Sequence, residues 1–163
     1  MFERKAPASA EETYRLLPAS LVSLLEGETD ALANLANAAA LVSASLDRIN
    51  WAGFYLLRGD ELVLGPFQGR PACVRIPLGK GVCGTAAAKR ETLVVPDVRA
   101  FPDHIACDEA SRSEIVVPIL DRGALRGVLD VDSPEKNRFG EAERAVLEEC
   151  VRVLIPRIAW QRL

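Results

Sequence analysis

The chain has 163 residues, of which 49% are apolar and 26% charged, a balance typical of a globular domain with its own hydrophobic core. The formal net charge is −3 and there is no long basic run, so nucleic acid is excluded as the main partner. No apolar stretch approaches the roughly 20 residues of a membrane span, and no apolar segment follows the charged N-terminus as in a signal peptide. We therefore expect one cytoplasmic domain over residues 1–163, no membrane association, and a flexible N-terminus over residues 1–10.

Two segments with helical spacing open the chain. In residues 11–26, Pro18 predicts a kink or two short helices, and Gly27 is a suitable C-terminal stop. Thr29 or Asp30 then caps a second helix. The apolar positions of this second helix recur at steps of three and four and are predicted to face the core: Leu32, Leu35, Ala39, Val42 and Leu46. Its alanine-rich middle allows close packing onto a sheet or onto another subunit.

From Ile49 the apolar period changes to two, which predicts β-strands. Residues 49–57 form a strand, 58–61 its turn and 62–64 the returning strand. Trp51 and Tyr55 share one face of the first strand, whereas Phe54 lies on the other.

The rest of the chain alternates short strands and helices. Strands are predicted at 74–76 and 92–95 with a helix from about Val82 between them, then a long loop over 97–113, a hairpin over 113–132 and a last helix. This order predicts an α+β fold, with a central antiparallel sheet of about six strands and the N- and C-terminal helices packed on one face.

Three acidic residues recur on one face of the second hairpin. A turn centred on Arg122 places Glu114 opposite Asp130, with Asp132 two residues further along. Because like charges across a strand pair are destabilising, this cluster favours a cation site over a solvated strand end. A hard metal ion and an ammonium group both fit. Aromatic side chains on the first strand, Trp51 and Tyr55, could wall such a pocket or simply belong to the core.

Two cysteines lie close to basic residues. A thiol reacts as the thiolate, which helix N-termini and positive charge favour. Cys83 follows a glycine-rich turn at the start of the predicted helix, near Lys80. Cys73 is flanked by Arg70 and Arg75. Both therefore qualify as redox residues.

The other two cysteines differ from each other. Cys107 follows His104 by three positions but has acidic neighbours, so its acidity is open, and His104 fits a solvent-exposed loop as well as a catalytic role. Cys150 lies on the apolar face of the last helix and is expected to be inert. Spacings of ten and twenty-four residues between Cys73, Cys83 and Cys107, with one histidine in the chain, match no zinc pattern. No metal is predicted.

Several segments together resemble the free methionine-(R)-sulfoxide reductases, small single-domain enzymes of the GAF fold. The resemblance extends from about Tyr14 to the last helix. The segments that carry it are 50–55 (NWAGFY), 64–69 (LGPFQG), 79–85 (GKGVCGT), 104–108 (HIACD), 113–116 (SEIV) and 127–133 (GVLDVDS).

The resemblance implies reduction of free L-methionine (R)-S-oxide to methionine without a cofactor. It implies that Cys107 is the nucleophile, that Cys73 is the resolving residue, and that Cys83 is an alternative resolving or relay residue. Five residues would line the substrate pocket: Trp51, Tyr55, Glu114, Asp130 and Asp132. Thioredoxin would be the reductant, and a homodimer is expected because the N-terminal helices of this fold class commonly pair subunits.

Two other functional classes compete with an enzyme. One is a non-catalytic GAF module that binds a small ligand or senses redox state through its thiols. The other is an acidic metal-binding module. A sensor is usually joined to an output domain, and the chain ends about one helix after the sheet. We therefore favour the enzyme.

Overall fold

A computed structural model describes residues 9–105 and 107–163. Its α-helices are α1 (Ala10–Leu24), α2 (Ala31–Ser45), α3 (Gly81–Lys89) and α4 (Glu141–Leu154). Its strands are β1 (Trp51–Arg58), β2 (Glu61–Gly69), β3 (Arg75–Pro77), β4 (Leu93–Val95), β5 (Ser113–Asp121) and β6 (Ala124–Ser133). Short 3₁₀ turns lie at Val98–Ala100, Ile155–Arg157 and Trp160–Arg162. No helix in these two ranges is long and apolar enough to cross a membrane.

The strands form one antiparallel sheet in the order β3–β2–β1–β6–β5–β4. The predicted α+β fold with about six strands is therefore confirmed. Alternation along β1 sends Ala52 and Phe54 to one face, and Trp51 and Tyr55 to the other. Each face consequently has its own core.

The first face is covered by α1, α2 and α4, as predicted. Its core is mainly aliphatic, with the aromatic side chains of Phe54, Phe139 and Trp160, and includes Leu21, Leu35 and Leu147, each at most 1% exposed. Ser9 caps α1 and Asp30 caps α2 through their side-chain oxygens. The expectation of flexibility over residues 1–8 lies outside the described residues.

Two details predicted for these helices were wrong. Pro18 does not divide the first helix into two short helices, because α1 continues through it, whereas the alternative of a kink at Pro18 stays a prediction. The proline removes one backbone hydrogen bond, but burial of Leu17 and Leu21 on the same helix keeps the segment helical. Leu32 does not face the core and is 59% exposed, because Ala31, one position earlier, occupies the buried side of α2.

The second face is covered by α3 and by the loop that precedes β5. Gly84 allows α3 to approach closely, because a Cβ atom there would lie 2.3 Å from the Pro77 carbonyl oxygen. Gly81, the first residue of α3, has φ +60° and faces Ile105 of the loop. These glycines hold the start of α3, and with it Cys83, against the sheet.

The predicted register of the second hairpin was wrong. Glu114 pairs with Asp132, and Asp130 pairs with Val116. The turn lies between Asp121 and Ala124 rather than on a single central residue, and an irregularity between Ile119 and Leu120 adds one further residue. The position of the turn and the irregularity each change the pairing by one residue. Together they move it by two residues, an even number, so all three carboxylates still share one face.

Candidate active site

A disulfide bond joins the two segments that cross the second face. Cys73 lies between β2 and β3, Cys107 lies in the loop before β5, and their Cα atoms are 5.3 Å apart. Cys83 is a free thiol and only 4% exposed. The bonded pair is the one that the resemblance implied. Which sulfur attacks and which resolves stays a prediction.

A small cavity of about 40 Å³ lies beneath α3 and the Cys107 loop. Every residue of the predicted site except Cys73 lines it, and Cys73 is bonded to one of the lining residues. The predicted residues in its wall are Trp51, Tyr55, Cys83, Cys107, Glu114, Asp130 and Asp132. The sheet thus brings together side chains that lie far apart in the sequence.

The carboxylates occupy adjacent positions on the two central strands of the site. Asp132 of β6 pairs with Trp51 on one side and with Glu114 on the other, and Asp130 pairs with Gly53 of β1. Glu114 is 7% exposed and Asp130 6% exposed. The Oδ1 atom of Asp130 is buried and has no hydrogen-bond partner among the described residues. Such an atom is suited to accept a hydrogen bond from a ligand.

Burial dominates the acidity of this cluster. Loss of hydration, followed by repulsion from Asp130, raises the pKa of Glu114 and that of Asp132 well above their ordinary values. Burial also raises the pKa of Asp130 to about 6, an effect that polar contacts with Cys83 and Glu114 partly offset. Burial and like charge thus favour retention of protons by Glu114 and Asp132, and the smaller rise in the pKa of Asp130 makes it the carboxyl group of the three that ionises first.

The environment of Cys83 is acidic, not basic. Its Sγ atom lies 3.6 Å from Glu114 Oε1 and donates a hydrogen bond to it. Burial and then the charge of Asp130 raise the pKa of the Cys83 thiol well above its ordinary value. Lys80 contacts Asp103 instead, with Nζ 3.6 Å from Oδ2. The expectation that Lys80 and the helix start favour the Cys83 thiolate was therefore wrong, because strands β5 and β6 supply its neighbours.

Three of the groups around the cavity lie close enough together to ligate one metal ion. One ligand atom each from Cys83, Glu114 and Asp130 lie within 4.8 Å of one another. Their proximity suits a metal ion or an ammonium group, the two cations that the sequence left open.

Aromatic rings form the neighbouring wall, on β1 and β2. The rings of Trp51 and Tyr55 stack with centroids 5.9 Å apart, and Phe67 of β2 stacks on Trp51 at 5.2 Å. Both β1 aromatics are at most 3% exposed. Phe67 was missed as a site residue, although segment 64–69 was among those that carried the resemblance.

The polar tips of these aromatics bind the Cys73 segment. Trp51 Nε1 donates to the Arg70 carbonyl at 3.2 Å, and the Tyr55 hydroxyl donates to the Cys73 carbonyl at 2.9 Å. Burial, reinforced by the charge of Asp130, raises the pKa of Tyr55, so its hydroxyl stays a donor.

The Cys107 loop is bound by side chains that sequence reasoning did not assign to the site. Asn50 Nδ2 donates to Asp108 Oδ2 and to Ser111 Oγ, each at 3.1 Å. His104 is partly buried and lines the cavity, and burial lowers its pKa, so it is not the fully exposed loop residue that one interpretation offered. Asn50 is the first residue of segment 50–55, one of the segments that carry the resemblance, and this position could have identified it as a site residue.

The chain is similar over most of its length to known proteins. Residues 7–155 match the GAF domain family. Free methionine-R-sulfoxide reductase from Escherichia coli (strain K12) is 51% identical over 143 residues, 88% of this chain and 87% of the relative. The crystallised free methionine-R-sulfoxide reductase from Neisseria meningitidis in complex with its substrate is 46% identical, with a TM-score of 0.90 over 99% of this chain and 96% of that one. A structure described as a putative GAF sensor protein from Burkholderia vietnamiensis is 58% identical, with a TM-score of 0.90 over 95% of this chain and 98% of that one.

The fold and the matched family define the chain as a GAF domain. Within that class, similarity over nearly its whole length shows that it belongs to the free methionine-R-sulfoxide reductases. The chain is thus an oxidoreductase of this family, as the sequence segments implied.

Proposed function

We propose that the protein reduces free L-methionine (R)-S-oxide to L-methionine through a cysteine sulfenic acid and a Cys73–Cys107 disulfide. The observation that carries this proposal is the position of Cys107 in the wall of a cavity that aromatic and acidic side chains also line. A relative of the same family was solved in complex with its substrate. The assignment of the R epimer as substrate rests on the family alone.

The acidic cluster suits the ammonium group of a free amino acid. Asp130 is ionised at neutral pH and offers a buried oxygen without a partner. A methionine residue within a polypeptide has a neutral amide in place of the ammonium group, and it cannot neutralise this charge. The rings of Trp51 and Tyr55 would hold the S-methyl end. Selectivity for the free amino acid follows from the buried charge.

The first chemical step is attack of the Cys107 thiolate on the sulfoxide sulfur. A protonated carboxyl group, Glu114 or Asp132, donates a proton to the sulfoxide oxygen. The oxygen ends on Cys107 as a sulfenic acid, and methionine leaves. Sulfur is thereby reduced in the substrate and oxidised in the enzyme by the same two electrons.

The second step closes the disulfide and the third reopens it. The Cys73 thiol attacks the sulfenic sulfur and releases water. A thioredoxin-type dithiol then restores both thiols by exchange. This cycle fits the cytoplasm, where thioredoxin keeps thiols reduced. We also expect a homodimer, which sedimentation equilibrium would show as twice the chain mass.

A steady-state assay with free methionine (R)-sulfoxide and thioredoxin recycling tests the nucleophile. We expect turnover by the wild type and a loss of more than about a thousandfold for Cys107→Ser. Cys150→Ser is the matched control, because Cys150 lies buried in the aliphatic core of the other face. Absence of wild-type turnover would favour the alternative of a ligand-binding or redox-sensing GAF module without catalysis.

A substrate comparison tests the ammonium site. Asp130→Asn should lower kcat/KM for the free amino acid by about ten- to a hundredfold, since it removes a charge-assisted hydrogen bond. N-acetylmethionine sulfoxide, which has no ammonium group, should be a poor substrate of the wild type and be little affected by this variant. Equal losses with both substrates would contradict the assignment.

A comparison of two carboxyl variants identifies the proton donor. Of Glu114→Gln and Asp132→Asn, the one that lowers the rate of the first step more identifies the acid. An unchanged first step in both variants would remove the carboxyl groups from the mechanism.

A further inference from the structure

We infer that Trp51 and Tyr55 act as positioning residues for Cys73: through their polar tips they fix the segment that carries the resolving thiol. This role is additional to their place in the aromatic wall, and it rests on the proposed function. It follows from the hydrogen bonds that the Trp51 indole N–H and the Tyr55 hydroxyl donate to the backbone carbonyls of residues 70 and 73.

Several residues of the Cys73 segment are hydrogen-bonded to the sheet, in addition to the disulfide. Besides the bonds from the two aromatics, the Val74 carbonyl accepts a hydrogen bond from Leu64 N at 2.9 Å. The next residue, Arg75, begins β3 and pairs with Val63 of β2. Two neighbouring strands thus fix this segment to the sheet on both sides of Cys73.

The Cys107 segment is bound differently. Among its described residues up to Ser111 the backbone hydrogen bonds are local, from Cys107 N to the Ile105 carbonyl and from Ser111 N to the Asp108 carbonyl, and the first bond to the sheet follows at Arg112, whose N donates to the Ser133 carbonyl. Its described attachment to β1 is through the side chain of Asn50, just before that strand. With fewer described attachments to neighbouring strands, the Cys107 side is the one that moves more easily, and Cys73 provides the fixed point to which Cys107 returns.

A fixed resolving thiol matters for the second chemical step. Cys107 sulfenic acid and the Cys73 thiol condense to the disulfide and water, and no further oxidant is consumed. The rate of such an intramolecular step depends on how often the two sulfurs meet in the right geometry. Removal of the Tyr55 hydroxyl releases the Cys73 carbonyl while the ring facing the cavity remains.

Single-turnover kinetics of Tyr55→Phe test the inference. Reduced protein is mixed with free methionine (R)-sulfoxide, and both methionine and disulfide are quantified over time. We expect the rate of disulfide formation, divided by the rate of methionine formation, to fall roughly tenfold relative to the wild type. Dimedone should trap correspondingly more Cys107 sulfenic acid.

Tyr14→Phe is the matched control, because Tyr14 is the other tyrosine of the chain and its hydroxyl bonds Glu143 on the opposite face. Its ratio of the two rates should equal that of the wild type. An unchanged ratio in Tyr55→Phe would overturn the inference. If Tyr55→Phe does not fold, Trp51→Phe, which removes the bond to Arg70, decides the matter by the same ratio. Failure of the wild type to form methionine at all would refute the proposed function instead.

Discussion

Two clusters of ionisable side chains among the described residues, one around the buried Arg138 and one around the buried Asp130, differ in whether their charges are paired. On the helix-covered side, Arg138 is 6% exposed and contacts Glu143 and Asp47, each at 2.8 Å. Tyr14 completes the network, donating to Glu143 Oε1 at 2.7 Å. On the other side the acidic cluster contains no cation among the described residues.

The pKa values follow this difference. Burial alone would raise the pKa of Glu143, but hydrogen bonds from Tyr14, Gly140 and Arg138 lower it to about 2. Asp130, with no cation beside it, has a pKa raised to about 6. A paired cluster stabilises the fold, whereas an unpaired one reduces stability and leaves charge available for a ligand. The contrast separates structural from functional polar groups without reference to any relative.

The largest expected effect is on the paired cluster. Arg138→Ala leaves Glu143 without its cation, and it should lower the free energy of unfolding by about 3–5 kcal/mol in urea titrations. Arg144→Ala is the control, since Arg144 pairs with Glu148 on the same helix while both side chains are more than 40% exposed. This control should lose less than about 1 kcal/mol. Similar losses in the two variants would show that burial does not distinguish the pairs.

The next effect concerns the pH dependence of Asp130→Asn. The pKa of Asp130 is about 6 in the fold against an ordinary 3.8, so its ionisation destabilises the folded state. Below pH 3.8 the carboxyl is protonated in both states and this penalty is absent. Between pH 3.8 and 6 the penalty grows, and above pH 6 it is complete at about 3 kcal/mol. The stability of the variant relative to the wild type, both disulfide-bonded, should therefore rise with pH across this window.

Glu143→Gln serves as the control, because its stability relative to the wild type should change with pH in the opposite direction. Glu143 stabilises the fold fully above its ordinary pKa of 4.5, and this contribution disappears as pH falls toward 2. The deficit of the variant should thus shrink in acid. A pH profile of the same sign for both variants would abolish the distinction between the clusters.

Seven of the eight side chains predicted from the sequence line one cavity, but their environments were not predictable from it. Period-two and helical spacing were enough for the fold and for the two faces of β1, because those patterns reflect local burial. The hairpin register depends on an irregularity between Ile119 and Leu120, and beside it Gly127 makes a tertiary contact that no local pattern contains, since a Cβ atom there would lie 2.1 Å from the Tyr55 carbonyl oxygen. Likewise, the acidic surroundings of Cys83 come from strands that follow it by about thirty residues or more. Asn50 and Phe67 lay within the segments that carried the resemblance, but their roles depend on which segments pack against them.

The smallest expected effect compares the two buried free thiols, Cys150 and Cys83. Cys150 lies among aliphatic side chains, and burial raises its pKa to about 12. Cys150→Ser should cost about 1–2 kcal/mol of unfolding free energy, because a hydroxyl replaces an apolar thiol in an aliphatic core. Cys83→Ser should cost less than about 1 kcal/mol, since Glu114 can accept the hydroxyl hydrogen bond. Urea titration of both variants under reducing conditions measures the difference, and a larger loss for Cys83→Ser would mean that its surroundings are as apolar as those of Cys150.

The Cys83→Ser variant also tests the redox role of Cys83. If Cys73 alone resolves the sulfenic acid, Cys83→Ser should still form one disulfide per turnover, whereas failure to form it would indicate that Cys83 acts as a relay.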